Sequence, residues 1–218
     1  MIVTFSGLEG AGKTTFALAL VKELNQLGIS TDFRAGYRPY ALGRLFVLLG
    51  RPRVPGIDLL QLPPELQVQR PRYKLAYYSF IRKIAGSLGR KAYPFVVWAD
   101  WFIGWIIIKT LRHKKVTILD WTSWETLIAF TFNRSIPRWL ERAFASFSQG
   151  DLAFHVGVSP EQALERRGQR PDGLDYYQFA DRTYQRLLQK SSKVLLDGTA
   201  DINGQVSLAS KMVMQRLG

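Results

Sequence analysis

Cysteine is absent from this chain of 218 residues. The absence excludes disulfide bonds, thiolate zinc sites and a thiol nucleophile. Histidine is nearly absent too: His113 and His155 lie far apart in the sequence, without metal-ligand spacing, and both are predicted to be structural. No secretory signal precedes the first apolar stretch, so an intracellular, cytoplasmic protein is expected.

Acidic residues are scarce. The chain has 17 Asp and Glu against 30 Lys and Arg, which gives a net charge of +13. The excess is concentrated in the basic segment, residues 34–91, where twelve Lys or Arg face only Asp58 and Glu65. Such a segment is expected to attract a nucleotide, a nucleic acid or an anionic membrane. A solvated basic surface is the alternative interpretation.

The stretch "GLEGAGKTT" follows the apolar residues 2–5. Its spacing G-x-x-x-x-G-K-T is that of a phosphate-binding loop, and it has a predicted strand before it and an amphipathic helix after it. Lys13 is predicted to meet the outer phosphates, and the Thr14 hydroxyl is predicted to bind Mg²⁺. The predicted nucleotide-binding residues of the loop are Gly7, Glu9, Gly10, Ala11, Gly12, Lys13, Thr14 and Thr15.

Strand and helix patterns alternate along the chain, without repeats or a low-complexity linker. This alternation predicts an α/β fold, a parallel sheet with helices on both faces, in a single domain over residues 1–218. Ligands of such sheets bind beyond the carboxyl ends of the strands. The loop, Asp120 and Asp197 all fall at that edge.

Two positions outside the basic segment could take part in phosphoryl transfer. Asp120 ends an apolar strand, where a carboxylate can hold Mg²⁺ or position a substrate; capping of the next helix is the alternative. The stretch "ERRGQRPDG" carries three arginines, Arg166, Arg167 and Arg170, on a predicted lid over residues 166–175. Lid arginines can stabilise charge that develops on phosphate, but a solvated helix end would also suit them.

Glu9 is unusual because a carboxylate inside a phosphate-binding loop repels the triphosphate. A hydroxyl of a second substrate is its predicted partner, and simple solvent exposure is the alternative.

Two further segments are ambiguous. Residues 93–111 are strongly apolar, but Asp100 interrupts them, so a buried helix is predicted rather than a membrane span. Contact with a membrane surface is the alternative. Residues 70–91 combine seven basic residues with aromatics, which suits either nucleic-acid binding or, as we favour, an amphipathic helix.

Several motifs together resemble the thymidylate kinase family. "FSGLEGAGKTT" resembles its phosphate-binding loop, including the acidic residue at Glu9. "VTILDWTSWETLIAF", "DLAFHVGVSPEQALERRGQR", "YYQFADRTYQRLLQ" and "KVLLDGTADI" resemble its later segments in the same order. The likeness covers most of the chain and is weak between residues 36 and 93.

The resemblance implies the three-layer fold of P-loop nucleoside triphosphatases, with a five-stranded parallel sheet, of the nucleoside monophosphate kinase type. It implies transfer of the ATP γ-phosphoryl to dTMP with Mg²⁺, and a homodimer. Lys13 and Arg170 would be catalytic, and Glu9 would face the acceptor sugar. Arg166 would lie against the adenine, with the backbone of Asp197, Gly198 and Thr199 at its edge. Thr14 and Asp120 would hold the metal.

The acceptor side departs from the family pattern. Trp121 follows Asp120 at a position where the family has arginine. In "WADWF", Trp101 follows Asp100 at a second position where the family has arginine. Arg38, in the basic segment, is a candidate replacement that would contact the acceptor phosphate. Asp100, Trp101 and Asp120 are then the remaining predicted acceptor-binding residues.

Three functions follow from these patterns. The first is a nucleoside monophosphate kinase that transfers a phosphoryl group from ATP to dTMP. The second is a kinase of the same fold with another acceptor, such as a nucleoside, a sugar phosphate or a lipid-linked alcohol. The third is a non-catalytic P-loop module that binds nucleic acid or an anionic membrane through the basic segment.

Overall fold

The structure is a computed structural model that describes residues 1–34, 93–110, 116–133, 136–146, 150–167 and 173–218. The chain divides into two compact units, Met1–Gly36 with His113–Gly218, and Tyr37–Arg112. Each unit is described by itself. The single domain over residues 1–218 therefore stays a prediction.

The first unit alternates strands and helices. Its strands are β1 (Ile2–Gly7), β2 (Thr31–Arg34), β3 (Val116–Leu119), β4 (Leu152–Gly157) and β5 (Val194–Asp197). Its helices are α1 (Lys13–Gln26), α3 (Ser123–Asn133), α4 (Arg138–Ser146), α5 (Pro160–Arg167), α6 (Gly173–Leu188) and α7 (Ile202–Leu217). The second unit contributes α2 (Tyr93–Thr110).

The five strands form one sheet in the order β2-β3-β1-β4-β5, and every neighbouring pair is parallel. The central strand β1 is buried along its whole length, as expected for a strand covered on both faces. Its residue Val3 pairs with Ile118 of β3, and Phe5 pairs with Phe154 of β4. The predicted parallel sheet with flanking helices is confirmed.

The helices cover the sheet through apolar faces. Helix α1 packs against α7, and α3 packs against α4 and α6. Buried Leu20 and Leu24 keep helical spacing on α1, and Val206 and Val213 do so on α7. This packing fixes the carboxyl ends of β1, β3 and β4 relative to one another, and the candidate site lies at those ends.

Helix α2 spans the apolar segment that was predicted to be a buried helix. The helix is confirmed, but its burial is partial, because four large apolar side chains are exposed: Phe95, Phe102, Ile103 and Ile106. Asp100 and Trp101 lie on it, and both side chains are buried. None of the helices in the described ranges combines the length and the apolar character that crossing a membrane requires.

Candidate functional site

The loop between β1 and α1 has the shape that its glycines predict. Gly10 and Gly12 have φ of 88° and 92°, in the left-handed region that glycine adopts without strain. A Cβ on Gly10 would also collide with the carbonyl oxygen of Ala163 in α5. The loop is thus packed against α5 so closely that only glycine fits at position 10.

Lys13 lies inside this loop. Its Nζ donates to the carbonyl oxygens of Gly7, at 2.7 Å, and Leu8, at 2.8 Å, and the side chain is buried. Burial lowers the pKa of Lys13, and the carboxylates of Glu125, Glu9 and Asp120 oppose that effect. The amine is held at the loop, where the sequence pattern predicts a charge for the outer phosphates.

Thr14 and Asp120 form the second part of the site. Thr14 Oγ1 donates to Asp120 Oδ2 over 2.5 Å, because β3 lies next to β1 in the sheet and Asp120 directly follows β3. A hydroxyl and a carboxylate are the hard oxygen ligands that Mg²⁺ prefers. Among the described residues, no group of three or more His, Cys, Asp or Glu side chains is arranged so that it could hold a metal ion. A small protein ligand set fits Mg²⁺, which takes its remaining oxygens from phosphates and water.

Arginines at the end of α5 reach the loop and the turn after β5. Arg166 Nη1 donates to the carbonyl oxygen of Gly198 over 3.0 Å. Arg167 Nε lies 3.5 Å from Glu9 Oε2. The predicted neighbours Arg166 and Gly198 are therefore together, whereas Arg170 lies outside the described residues. The roles of these residues at a nucleotide stay predictions.

The Asp197 side chain forms hydrogen bonds within the turn between β5 and α7. Its Oδ1 accepts hydrogen bonds from the backbone N–H of Thr199, at 2.8 Å, and from the Thr199 hydroxyl, at 2.6 Å. These bonds lower the pKa of Asp197. The carboxylate shapes the β5–α7 turn and leaves backbone groups for the predicted contact with a base.

A pocket opens beside Glu9, on the first unit alone. It is a small, open pocket with a cavity volume of about 10 Å³, and it is lined by Gly7, Leu8, Glu9, Trp121, Glu125, Ile128, Tyr176, Ala180 and Tyr184. The lining is aromatic and acidic, and no Lys or Arg of the described residues belongs to it. Trp121 thus lines the pocket at the position where the family resemblance expects arginine.

Glu125 is a residue that sequence reasoning missed. Its Oε2 accepts hydrogen bonds from the N–H and the hydroxyl of Thr122, at 2.8 and 2.6 Å. Its Oε1 accepts from the N–H of Gly7, at 3.3 Å. The stretch "TSWE" at the start of α3 matches the Thr-x-x-Glu capping pattern, which signals the first role but not the second.

Tyr184 and Lys193 were missed as well. Tyr184 Oη donates to the carbonyl oxygen of Gly7 over 3.0 Å, and burial raises the pKa of Tyr184. Lys193 Nζ donates to Ser6 Oγ over 2.9 Å and lies 3.6 Å from the centroid of a Trp124 ring. Burial lowers the pKa of Lys193 to about 7. No local pattern marks either residue, because their partners come from distant parts of the sequence.

His155 is buried beneath the loop. Its Nδ1 is 3.1 Å from Ser6 Oγ, and burial, together with the nearby Lys193 and Lys13 charges, lowers its pKa to about 3. It is therefore neutral at ordinary pH, which suits the structural role predicted for it. His113 lies outside the described residues.

The roles of four further predicted site residues stay predictions. Arg38 lies outside the described residues, and Thr15 is exposed on α1. Asp100 and Trp101 belong to the second unit, so their acceptor role stays a prediction.

Comparison with known proteins gives no match: no protein-family model matches the chain, and no curated protein matches it significantly. The resemblance to thymidylate kinases rests on the motifs quoted above.

Proposed function

We propose that the chain is a P-loop kinase of the nucleoside monophosphate kinase type, which transfers the γ-phosphoryl group of Mg-ATP to an acceptor. The observation that carries the proposal is the convergence of Lys13, Thr14 and Asp120 around one glycine-rich loop. A loop of this kind needs no further residues to bind a triphosphate, because backbone N–H groups and one lysine supply the attraction.

In this proposal, the residues of the loop and of the lid have different roles. Lys13 balances the charge of the outer phosphates, and Thr14 and Asp120 hold Mg²⁺. The metal, when bound, neutralises charge on the transferred group. Arg166 lies beside the β5–α7 turn, where the base of ATP would lie, and Arg170 of the lid stabilises charge on the moving phosphoryl group.

The acceptor lies in the pocket beside Glu9. A nucleoside monophosphate, dTMP, is the acceptor that the family resemblance implies. Its base would pack on the aromatic side chains of Trp121 and Tyr176, and its sugar hydroxyl would meet Glu9. The acceptor phosphate would be bound by Arg38 of the basic segment.

A second acceptor class is favoured by one observation, the acidic and aromatic lining of the pocket. Carboxylates at Glu9 and Glu125 line the pocket and repel a phosphate. Arg167 beside Glu9 and Lys13 near Glu125, which are not in the lining, offset part of that repulsion. A nucleoside, or another acceptor without a phosphate, avoids that repulsion. This candidate keeps the same donor, metal and loop, and changes only the acceptor.

An acceptor panel tests the proposal. Purified protein would receive Mg-ATP with dTMP, dUMP, other nucleoside monophosphates, thymidine or no acceptor, and ADP would be measured. The Lys13→Ala variant serves as the blank, and Lys22→Ala as a matched lysine variant on the same helix. Acceptor-dependent ADP formation that Lys13→Ala loses and Lys22→Ala keeps is expected. Turnover without dependence on any acceptor would contradict the proposal.

A further inference from the structure

Side chains from other elements form hydrogen bonds with both backbone groups of Gly7, its N–H and its carbonyl oxygen. The Gly7 N–H donates to Glu125 Oε1 over 3.3 Å. The Gly7 carbonyl oxygen accepts from Lys13 Nζ at 2.7 Å and from Tyr184 Oη at 3.0 Å. We call Gly7, Lys13, Glu125 and Tyr184 the Gly7 junction. It joins the first residue of the phosphate-binding loop to α1, α3 and α6.

Glu125 is the anionic member of this junction, and both oxygens of its carboxylate accept hydrogen bonds. The side chain is 5% exposed. One carboxylate oxygen accepts two hydrogen bonds from Thr122, and the other accepts the Gly7 N–H. A carboxylate with several donors is stabilised in its charged form and in one orientation. The bond to Gly7 therefore holds the start of the loop in a fixed place.

The charge of Glu125 has a second effect. Lys13 is buried in the junction, and Lys193 lies over Trp124, the residue next to Glu125. The Glu125 carboxylate favours the charged form of both lysines. Glu9, Asp120 and Arg167 are the other charged groups that act on Lys13. Glu125 thus compensates two lysines that surround Ser6 and Gly7.

We propose that Glu125 is a positioning residue for nucleotide binding, which acts through Gly7 and Lys13 and does not touch the nucleotide. The inference rests on the proposed binding of ATP by the loop. A carboxylate at this place keeps the loop preorganised, so that binding does not have to order it. A residue that merely capped α3 would stabilise the fold without this effect on binding.

Two sets of variants separate the two roles. Glu125→Gln keeps the shape and an acceptor oxygen but removes the charge, and Glu125→Ala removes both. Ser123→Ala is the matched control, because it removes the hydrogen bond from Ser123 Oγ to the Phe144 carbonyl oxygen at the start of α3 and leaves the bonds of Glu125 to Thr122 and Gly7. Tyr184→Phe removes one bond to the Gly7 carbonyl with little change in volume.

The measurements are the Kd of a fluorescent ATP derivative with Mg²⁺, in the absence of any acceptor, and the melting temperature of each variant. We expect Glu125→Gln to weaken binding about tenfold, since its single acceptor oxygen cannot serve both Thr122 and Gly7 and the bond that remains is no longer to a charged group. Glu125→Ala weakens it further, and Tyr184→Phe weakens it by a smaller factor. Ser123→Ala lowers the melting temperature, because a buried hydrogen bond is lost, and leaves Kd within about a factor of two.

The outcomes are distinguishable. Equal Kd values for the wild-type chain and a folded Glu125→Gln variant would overturn the role of Glu125 while leaving ATP binding intact. A loss of affinity that follows melting temperature across all variants, Ser123→Ala included, would also overturn it. A wild-type chain that binds no nucleotide, or binds it as well after Lys13→Ala, would instead contradict the proposed function. Should Glu125→Ala fail to fold, Glu125→Gln and Tyr184→Phe still decide the matter.

Discussion

Thr14 and Asp120 are 106 residues apart in sequence, and a hydrogen bond of 2.5 Å joins Thr14 Oγ1 to Asp120 Oδ2. The contact exists because β3 pairs with β1 in parallel, which brings both carboxyl ends to the same edge of the sheet. It places a hydroxyl and a carboxylate where one Mg²⁺ can use both, directly or through water. The donor side of the proposed reaction depends on this pair.

Replacement of Asp120 tests the metal site. Asp120→Asn keeps the size of the side chain and removes the charge that attracts Mg²⁺. The Mg²⁺ concentration for half-maximal activity is expected to rise about tenfold or more. A Mg²⁺ titration of turnover at fixed ATP measures it. Glu161→Gln, on the exposed start of α5, is the control and should behave like the wild-type chain. An unchanged Mg²⁺ requirement in Asp120→Asn would remove Asp120 from the metal site.

Trp121 is expected to control acceptor choice. Trp121→Arg adds a cation to a pocket whose described lining has none. A charge-assisted contact with phosphate is worth about 1.5–3 kcal/mol, so kcat/KM for dTMP relative to thymidine should rise tenfold or more. Competition assays with both acceptors measure the ratio. Trp139→Arg, on an exposed face of α4, is the control. A ratio that stays constant would mean that position 121 does not meet the acceptor phosphate.

Lys193 should make stability depend on pH. Its pKa is lowered from 10.5 to about 7 in the folded chain, so between those values the unfolded chain binds more protons. The free energy of unfolding therefore rises with pH above about 7, and below that pH both states are charged and the contribution is constant. Lys193→Met removes this contribution. Lys13 has a pKa shift in the same direction, and it is present in both proteins, so its contribution cancels.

Urea unfolding at pH 6, 7, 8 and 9 measures the effect. The difference in unfolding free energy between the wild-type chain and Lys193→Met is expected to change in favour of the wild type above pH 7. Its slope is at most about 1.4 kcal/mol per pH unit. A difference that does not vary with pH would show that Lys193 keeps its ordinary pKa in the fold.

Two glycines offer a matched pair of substitutions to alanine. Gly10→Ala places a methyl group against the Ala163 carbonyl at a φ of 88°, so a loss of about 1–3 kcal/mol and of ATP binding is expected. Gly204→Ala in α7 meets only Asp201 Oδ2 at 3.6 Å, and it should stabilise the chain by about 0.5–1 kcal/mol. Thermal melts and nucleotide titration compare them. A Gly10→Ala protein that binds ATP normally would contradict the close packing of the loop on α5.

The sequence patterns predicted those parts of the structure that depend on neighbouring residues. The glycine-rich loop, its flanking strand and helix, and the alternation that builds a parallel sheet are all local signals, and they are present. The meeting of Asp120 with the loop could be predicted because strand ends of a parallel sheet share one edge.

The side-chain contacts that other elements make with Ser6 and Gly7 could not be predicted in that way. Glu125 is 118 residues from Gly7, and Lys193 is 187 residues from Ser6, so no local pattern connects them. Helix spacing predicts the buried face of α6, yet it does not distinguish the Tyr184 hydroxyl that reaches Gly7 from any other core tyrosine. Such contacts depend on how the helices pack over the sheet.

Transfer of a labelled γ-phosphoryl group from ATP tests the central claim most directly. The wild-type chain, Lys13→Ala and Lys22→Ala would each be incubated with labelled Mg-ATP and dTMP or thymidine, and the products separated. We expect label on one of the two acceptors with the wild-type chain and Lys22→Ala, and none with Lys13→Ala. Label that stays on ATP in every reaction, or that moves equally well without Lys13, would contradict the assignment of this chain as a P-loop kinase.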